Sequence, residues 1–183
     1  MSLSPNEASG ALRDITLTER RSVSALGYQM AYPHLILWGV IWVFGYSANA
    51  AHLGWDPLWL VLSALGSAGS FFIGWYMSRG RAKTFDWRYG ASFLVFILFV
   101  FAQFAIMKPR ADAQLAAFFP VLVSVYYALI GIWTRGLRML FLAVALFAVT
   151  MGGFFWLPQY FDWLMAVAGG GGLILGGFWL RSV

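Results

Sequence analysis

The 183-residue sequence contains no cysteine and few charged side chains. The lack of cysteine excludes disulfides, thiolate metal sites and a cysteine nucleophile. Charged residues make up 10% of the chain, against about a quarter in soluble domains, while 61% of the residues are hydrophobic. A chain of this composition is expected to have a lipid bilayer, and not water, as its main solvent.

Familiar catalytic motifs are missing as well. The sequence has no HExxH zinc motif, no P-loop, no GxSxG nucleophile elbow and no cluster of His or Cys ligands. Apart from Asp162 near the start of the last run, no Asp, Glu, Lys or Arg falls inside the long apolar runs, where ion-coupled transporters and proton pumps usually carry an ionisable group. These absences favour a non-enzymatic protein with no metal and no other cofactor.

The formal net charge of +5 does not indicate a nucleic-acid partner. The basic residues stand in short loops between apolar runs, where membrane topology and anionic lipid headgroups account for them. The lipid bilayer is therefore the expected partner, and nucleic acid is not.

Six apolar runs are each long enough to span a bilayer core of about 30 Å as a helix. They cover residues 34–55, 57–78, 89–107, 113–134, 139–157 and 159–180. The runs lack the alternation of a barrel strand, and the connections between them are short. The sequence predicts an all-α polytopic membrane protein, a bundle of six transmembrane helices arranged as three antiparallel hairpins.

The basic residues also predict the orientation of this bundle. With the N-terminus inside, every Lys and Arg except Lys108 and Arg110 falls on the cytoplasmic side, as the positive-inside rule requires. We expect a multi-pass protein of the plasma (inner) membrane with both termini cytoplasmic.

Residues 1–33 form the one sizeable polar stretch and precede a transmembrane domain at 34–183. Leu12, Ile15, Val23 and Leu26 recur at near-helical spacing, which is typical of a short amphipathic helix lying on the inner membrane surface. The alternative is a tail whose arginines serve only to orient the first span.

The candidate ligand-binding residues are aromatic and uncharged polar side chains within the spans, together with a helix-breaking proline and two glycines. They are Trp42, Tyr46, Asn49, Ser67, Gln103, Pro120, Ser124, Tyr127, Gly169 and Gly172. Polar groups facing lipid are costly, so these are expected to point inward. Either they line a small cavity, which Pro120 widens by freeing a carbonyl, or they bond between helices without a ligand.

Glycines suggest two further features of the sixth span. Residues 169–172 are four consecutive glycines, which predict a hinge, a local unwinding or a ligand contact. Ala168, Gly172 and Gly176 recur every four residues and predict a close-packing ridge. On this pattern the second, fifth and sixth helices form the packing core, and the phenylalanine-rich third helix is outermost.

Three functions remain open at this stage. The first is a bundle that binds or transports a small neutral, apolar or aromatic molecule or a lipid. The second is a regulatory or accessory subunit, or a homo-oligomer, whose N-terminal segment and 79–88 loop dock a cytoplasmic partner. The third is a haem-binding redox protein using His34 or His52, which lie 18 residues and roughly 27 Å apart on one helix.

Overall fold

A computed structural model describes residues 5–53, 57–79, 98–100, 102–103, 105–107 and 112–182 of the chain. For residues 5–24, 78 and 112–113 it describes the backbone alone. The 79–88 loop beyond Arg79, residues 89–97 of the third predicted span, Lys108 and Arg110 lie outside these ranges. Within them every regular element is a helix and no strand occurs, which confirms the predicted all-α class.

The first helix, α1, extends from Pro5 to Ala50. Its 46 residues correspond to about 69 Å, more than twice the thickness of a bilayer core of about 30 Å. Pro33 lies inside this helix, so the structure has no break at the predicted boundary between the N-terminal segment and the first span. The N-terminal segment is the first part of α1 and not a separate short helix.

The second, fourth, fifth and sixth predicted spans agree closely with helices, and the third is described only from Leu98 onward. Helix α2 covers Leu58–Ser78, α3 Leu98–Met107, α4 Asp112–Trp133 and α5 Leu137–Trp156. After a short 3₁₀ turn at Pro158–Tyr160, helix α6 covers 161–181 in three parts, which are α-helical at Phe161–Leu164, a π-helix at Met165–Gly170 and α-helical again at Gly171–Arg181.

Four helical segments among the described residues are long and apolar enough to cross a membrane. They are Leu58–Met77, Gln114–Trp133, Leu137–Trp156 and Pro158–Arg181. Helix α1 is less apolar because His34, Tyr46 and Asn49 interrupt its hydrophobic run. The structure thus supports a helical membrane protein with several spans, while the number six and the orientation stay predictions.

The core of the bundle lies where α1 packs antiparallel to α6. A Cβ added to Gly170 would lie 2.7 Å from the amide nitrogen of Val43 and 2.9 Å from the carbonyl oxygen of Gly39. One at Gly177 would lie 3.0 Å from the carbonyl oxygen of Tyr32. Only glycine permits backbones to approach this closely, and such contacts are a main source of packing energy between helices in lipid.

Helices α4 and α5 form an antiparallel hairpin whose turn contacts α1. Arg135 ends α4 in the left-handed region, with φ 51°, while the Gly136 amide bonds the Gly131 carbonyl at 2.8 Å. This is a Schellman cap, which satisfies the last carbonyls of the helix. The Tyr28 hydroxyl of α1 accepts a hydrogen bond from the Arg138 amide at 3.3 Å, so α1 is attached to the turn.

Helix α2 is peripheral, and the predicted core of helices two, five and six is wrong in this respect. Gly66 and Gly69 of α2 face Trp38 and Leu37 of α1, but most of the α2 surface is exposed. Helix α6 is more buried, with 44% of its apolar segment buried against 17% for α2. A small-residue pattern marks a face that can pack closely, but it does not tell which helix will lie against it.

The predicted ridge of Ala168, Gly172 and Gly176 is also wrong at its centre. Gly172 is half-buried, and a Cβ added there would meet nothing within 4 Å. Gly170 and Gly177 are the α6 residues that face α1. The π-helix at Met165–Gly170 explains the difference, because its wider turn moves the following residues onto other faces than a continuous α-helix would.

Candidate functional site

Aromatic side chains of α1 meet those of α2 and α6 around Tyr46. Trp42 and Tyr46, four residues apart, share one face of α1, and both are buried. The Tyr46 ring lies edge-on to Trp42, Trp59 and Phe161, with centroids 6.0, 4.9 and 6.4 Å away. Edge-to-face pairs of this kind contribute beyond the area that they bury. These four residues form the aromatic cluster. Two of them, Trp42 and Tyr46, were among the candidate residues predicted from the sequence.

Tyr46 also bonds a carbonyl that Pro120 leaves without its usual partner. In an α-helix the Ala116 carbonyl would accept from the amide of residue 120, but proline has no N–H. The Tyr46 hydroxyl donates to the Ala116 oxygen at 2.7 Å instead. Pro120 therefore frees a carbonyl, as predicted. This carbonyl accepts a hydrogen bond that joins α4 to α1, and it does not widen a cavity.

Two other buried hydroxyls, those of Ser124 and Thr150, are bonded to their own helices. Ser124 donates to the Val121 carbonyl at 2.6 Å, and Thr150 donates to the Leu146 carbonyl at 2.8 Å. In the described part of the chain, every buried side-chain nitrogen or oxygen has a hydrogen-bond partner. Among the predicted polar candidates, Tyr46 and Ser124 therefore bond within the protein.

The other candidate residues are distributed over several parts of the bundle. Tyr127 is buried on α4 and Gly169 lies close to Trp42, whereas Asn49 is only partly buried near the end of α1. Ser67 is exposed on α2 and Gln103 partly buried on α3. The structure therefore brings Trp42, Tyr46 and Gly169 together, whereas Ser67 lies on the exposed surface of α2.

The glycine run coincides with the end of the π-helix of α6. Gly169 and Gly170 belong to that π-helix, and Gly171 and Gly172 begin the α-helical part after it. The predicted local irregularity is present as a wide helical turn. Thr150 of α5 lies 3.8 Å from the Met165 sulfur, where the π-helix begins. Segments of π-helix occur frequently at functional sites.

An apolar groove that the sequence did not indicate opens beside the close contact of α1 with α6. Its volume is about 370 Å³, and it is lined by Val40, Val43, Phe44, Ser47 and Ile174. Gly171 lies one turn before Ile174, and a Cβ there would meet nothing within 4 Å. A Cβ added to Gly39 would lie 2.7 Å from an Ile174 side-chain carbon, so the groove lies directly beside the close contact of the two helices. The spacing of Val40, Phe44 and Ser47 on one face was its one signal in the sequence.

The histidines stand at opposite ends of the apolar part of α1. His52 follows the helix in the left-handed region, with φ 56°, and its amide bonds the Asn49 carbonyl at 2.9 Å as part of a Schellman cap. Along α1, His34 is too distant for both to hold one metal or haem in a single chain. The described residues contain no group of three or more His, Cys, Asp or Glu side chains placed to bind a metal ion.

Comparison with known protein families, with curated proteins and with solved structures finds no match to this chain. Its function is therefore argued from geometry: an interior closed around the aromatic cluster, and an apolar groove on the α1–α6 side.

Proposed function

We propose that this helical membrane protein is non-enzymatic and binds a lipid, whose acyl chain occupies the α1–α6 groove. The groove itself is the observation that carries the proposal. The groove is shallow and open along one side, which suits a lipid chain lying against the protein surface better than an enclosed small molecule. Four of its five lining residues are hydrophobic, and Ser47 is the one polar member.

The closed interior favours this site over the polar layer. Tyr46, Ser124 and Thr150 already donate to backbone carbonyls, so a polar ligand among them would have to displace bonds within the protein. The groove requires no such exchange, and two of its lining residues, Val40 and Phe44, are exposed at the protein surface. An acyl chain fits its chemistry better than a neutral polar molecule does.

The same hydroxyls support a non-enzymatic role. A serine or threonine nucleophile is activated by a neighbouring base that takes its proton. The hydroxyls of Ser124 and Thr150 donate hydrogen bonds to backbone carbonyls of their own helices, and a backbone carbonyl is not a base that removes the proton. Their geometry is that of residues that satisfy and stabilise a helix.

Filling the groove is expected to reduce the lipid that accompanies the purified protein. In Val40→Trp the indole would occupy space where dispersion contacts hold the chain, and we expect bound lipid per protein to fall at least about threefold. The measurement is quantitative mass spectrometry of lipids retained after extraction in mild detergent. Val144→Trp, at an exposed position on α5, is the matched control and should retain the wild-type amount. Equal retention by both variants would contradict the proposal.

A second candidate is a docking role for the N-terminal part of α1. Tyr28 is the point where α1 packs against the α4–α5 turn, and residues 5–27 continue the helix for about 35 Å before it. A helix of that length is suited to binding a cytoplasmic partner. Deleting residues 1–24 keeps Tyr28 in place and should remove a stoichiometric partner from a gentle detergent pull-down, without lowering the melting temperature. The absence of any partner in the full chain would contradict this role.

A further inference from the structure

Arg138 is held in one position at the end of α6. Its Nη1 donates to the Trp179 carbonyl at 2.7 Å and to the Ser182 hydroxyl at 3.3 Å. Its guanidinium carbon lies 5.1 Å from the centroid of the Trp179 ring. A guanidinium has five N–H donors. Both of these hydrogen bonds lie at the exposed end of α6, where a ligand can approach the guanidinium.

A second arginine stands at the same end of the α1–α6 interface. The guanidinium of Arg181 lies 5.9 Å from the centroid of the Tyr32 ring, and the side chain is exposed. Trp179 and Phe141, in edge contact at 5.9 Å, are both exposed apolar surface beside Arg138. The last turn of α6 thus has two cations beside aromatic rings, Arg138 on the α5 side and Arg181 on the α1 side. We call this region the basic end and define it by Arg138, Trp179 and Arg181.

We infer that the basic end binds the phosphate headgroup of an anionic phospholipid. This inference rests on the proposed function, since the chain of the same lipid would extend into the α1–α6 groove. Ile174 in the groove and Arg181 are seven residues apart, which is two helical turns on one face and about 10.5 Å along α6. Arg181 of the basic end and Ile174 of the groove thus lie along one side of α6.

The charges favour an anion at this position despite the helix end. The C-terminus of α6 carries a partial negative charge that would repel a phosphate. Arg138 bonds the Trp179 carbonyl there and offsets that charge, and Arg181 adds a second cation. Planar guanidinium groups match the geometry of phosphate oxygens, and the exposed rings favour a phosphate carried by a lipid over a free ion.

Lipid selection from mixed vesicles tests this inference. The chain is reconstituted in phosphatidylcholine containing a minority of phosphatidylglycerol and extracted in mild detergent, and the two retained lipids are quantified by mass spectrometry. We expect about fivefold enrichment of phosphatidylglycerol, reduced about threefold in Arg181→Gln and abolished in Arg138→Gln/Arg181→Gln. Total lipid per protein should stay unchanged in Arg181→Gln, because the groove is intact.

Arg79→Gln is the matched control. It removes the same charge at the end of α2, where Arg79 stacks on Trp75 at 3.6 Å, and should leave the enrichment unchanged. An equal loss in Arg79→Gln and Arg181→Gln, or no enrichment in the wild type, would overturn the headgroup site. Those results leave the Val40→Trp comparison intact, so failure of the headgroup site and failure of the groove are distinguished.

Discussion

Gly170→Ala is expected to destabilise the protein strongly, whereas Gly172→Ala two residues later is expected to stabilise it slightly. At Gly170 the new Cβ would lie 2.7 Å from the Val43 amide nitrogen and 2.8 Å from a Val43 methyl carbon. Because the closest atom belongs to the backbone, the two helices would have to move apart. Overpacking of this kind costs about 2–3 kcal/mol.

Gly172→Ala is a sharp control because it changes the same residue type in the same glycine run. Its Cβ would meet nothing within 4 Å, and alanine in a helix interior is favoured over glycine by about 0.5–1 kcal/mol. In a chain of this length the two variants should differ in melting temperature by roughly 6–12 °C. Thermal unfolding in detergent measures the difference, and equal midpoints would show that α1 and α6 do not approach closely at Gly170.

The close contact at Gly170 bears on the proposed function as well as on stability. Gly170 allows α1 to approach α6, and the apolar groove opens beside this contact, between residues 40–47 of α1 and Ile174. Packing and binding therefore depend on the same short segment of α6. A variant that separates the two helices is expected to lose retained lipid together with stability, whereas Val40→Trp should lose lipid alone.

The helices were predictable from the sequence because their ends are marked chemically. The predicted spans 57–78 and 113–134 agree with Leu58–Ser78 and Asp112–Trp133 to within one residue at each end. Pro57 precedes α2 and Arg79 follows it, so the apolar run ends where a charge or a proline interrupts it. Hydrophobic length is a local property, and no knowledge of neighbouring helices is needed to read it.

The faces of the helices were less predictable, because they depend on neighbours and on local geometry. The prediction for Gly172 assumed a regular α-helix, and the π-helix at Met165–Gly170 shifts the faces that follow it. The groove was missed because it results from two helices meeting, and no single helix carries it. Trp42 and Tyr46 were found through their spacing of four, but their partners Trp59 and Phe161 come from other helices.

Pro120 and Tyr46 show how far a sequence argument extends. Proline in a helix interior frees the carbonyl four residues earlier, so an unpaired oxygen at Ala116 follows from the sequence. The donor that bonds the Ala116 oxygen does not follow from the sequence, because Tyr46 is 70 residues away along the chain. Only the packing of α1 against α4 identifies that partner.

Tyr46→Phe is therefore expected to lower the free energy of unfolding, because it removes the donor that bonds the Ala116 carbonyl freed by Pro120. The substitution keeps the ring in the aromatic cluster and removes one hydroxyl, which leaves the Ala116 carbonyl without a donor. An unsatisfied buried acceptor costs about 1–3 kcal/mol. The free energy of unfolding in detergent is the quantity to measure, and Tyr32→Phe, which removes a hydroxyl from a half-buried tyrosine of α1, is the control with little expected effect.

A double-mutant cycle with Pro120→Ala assigns that cost to the carbonyl. Alanine restores the amide that bonds the Ala116 oxygen within α4, so Tyr46→Phe should cost less than about 0.5 kcal/mol when Pro120→Ala is already present, and the coupling should be about 1–2 kcal/mol. Equal costs in both backgrounds would mean that Tyr46 acts through ring packing alone. A coupling of the expected sign would show that a donor missing from one helix is supplied by another, and that α1 and α4 are joined where the proline lies.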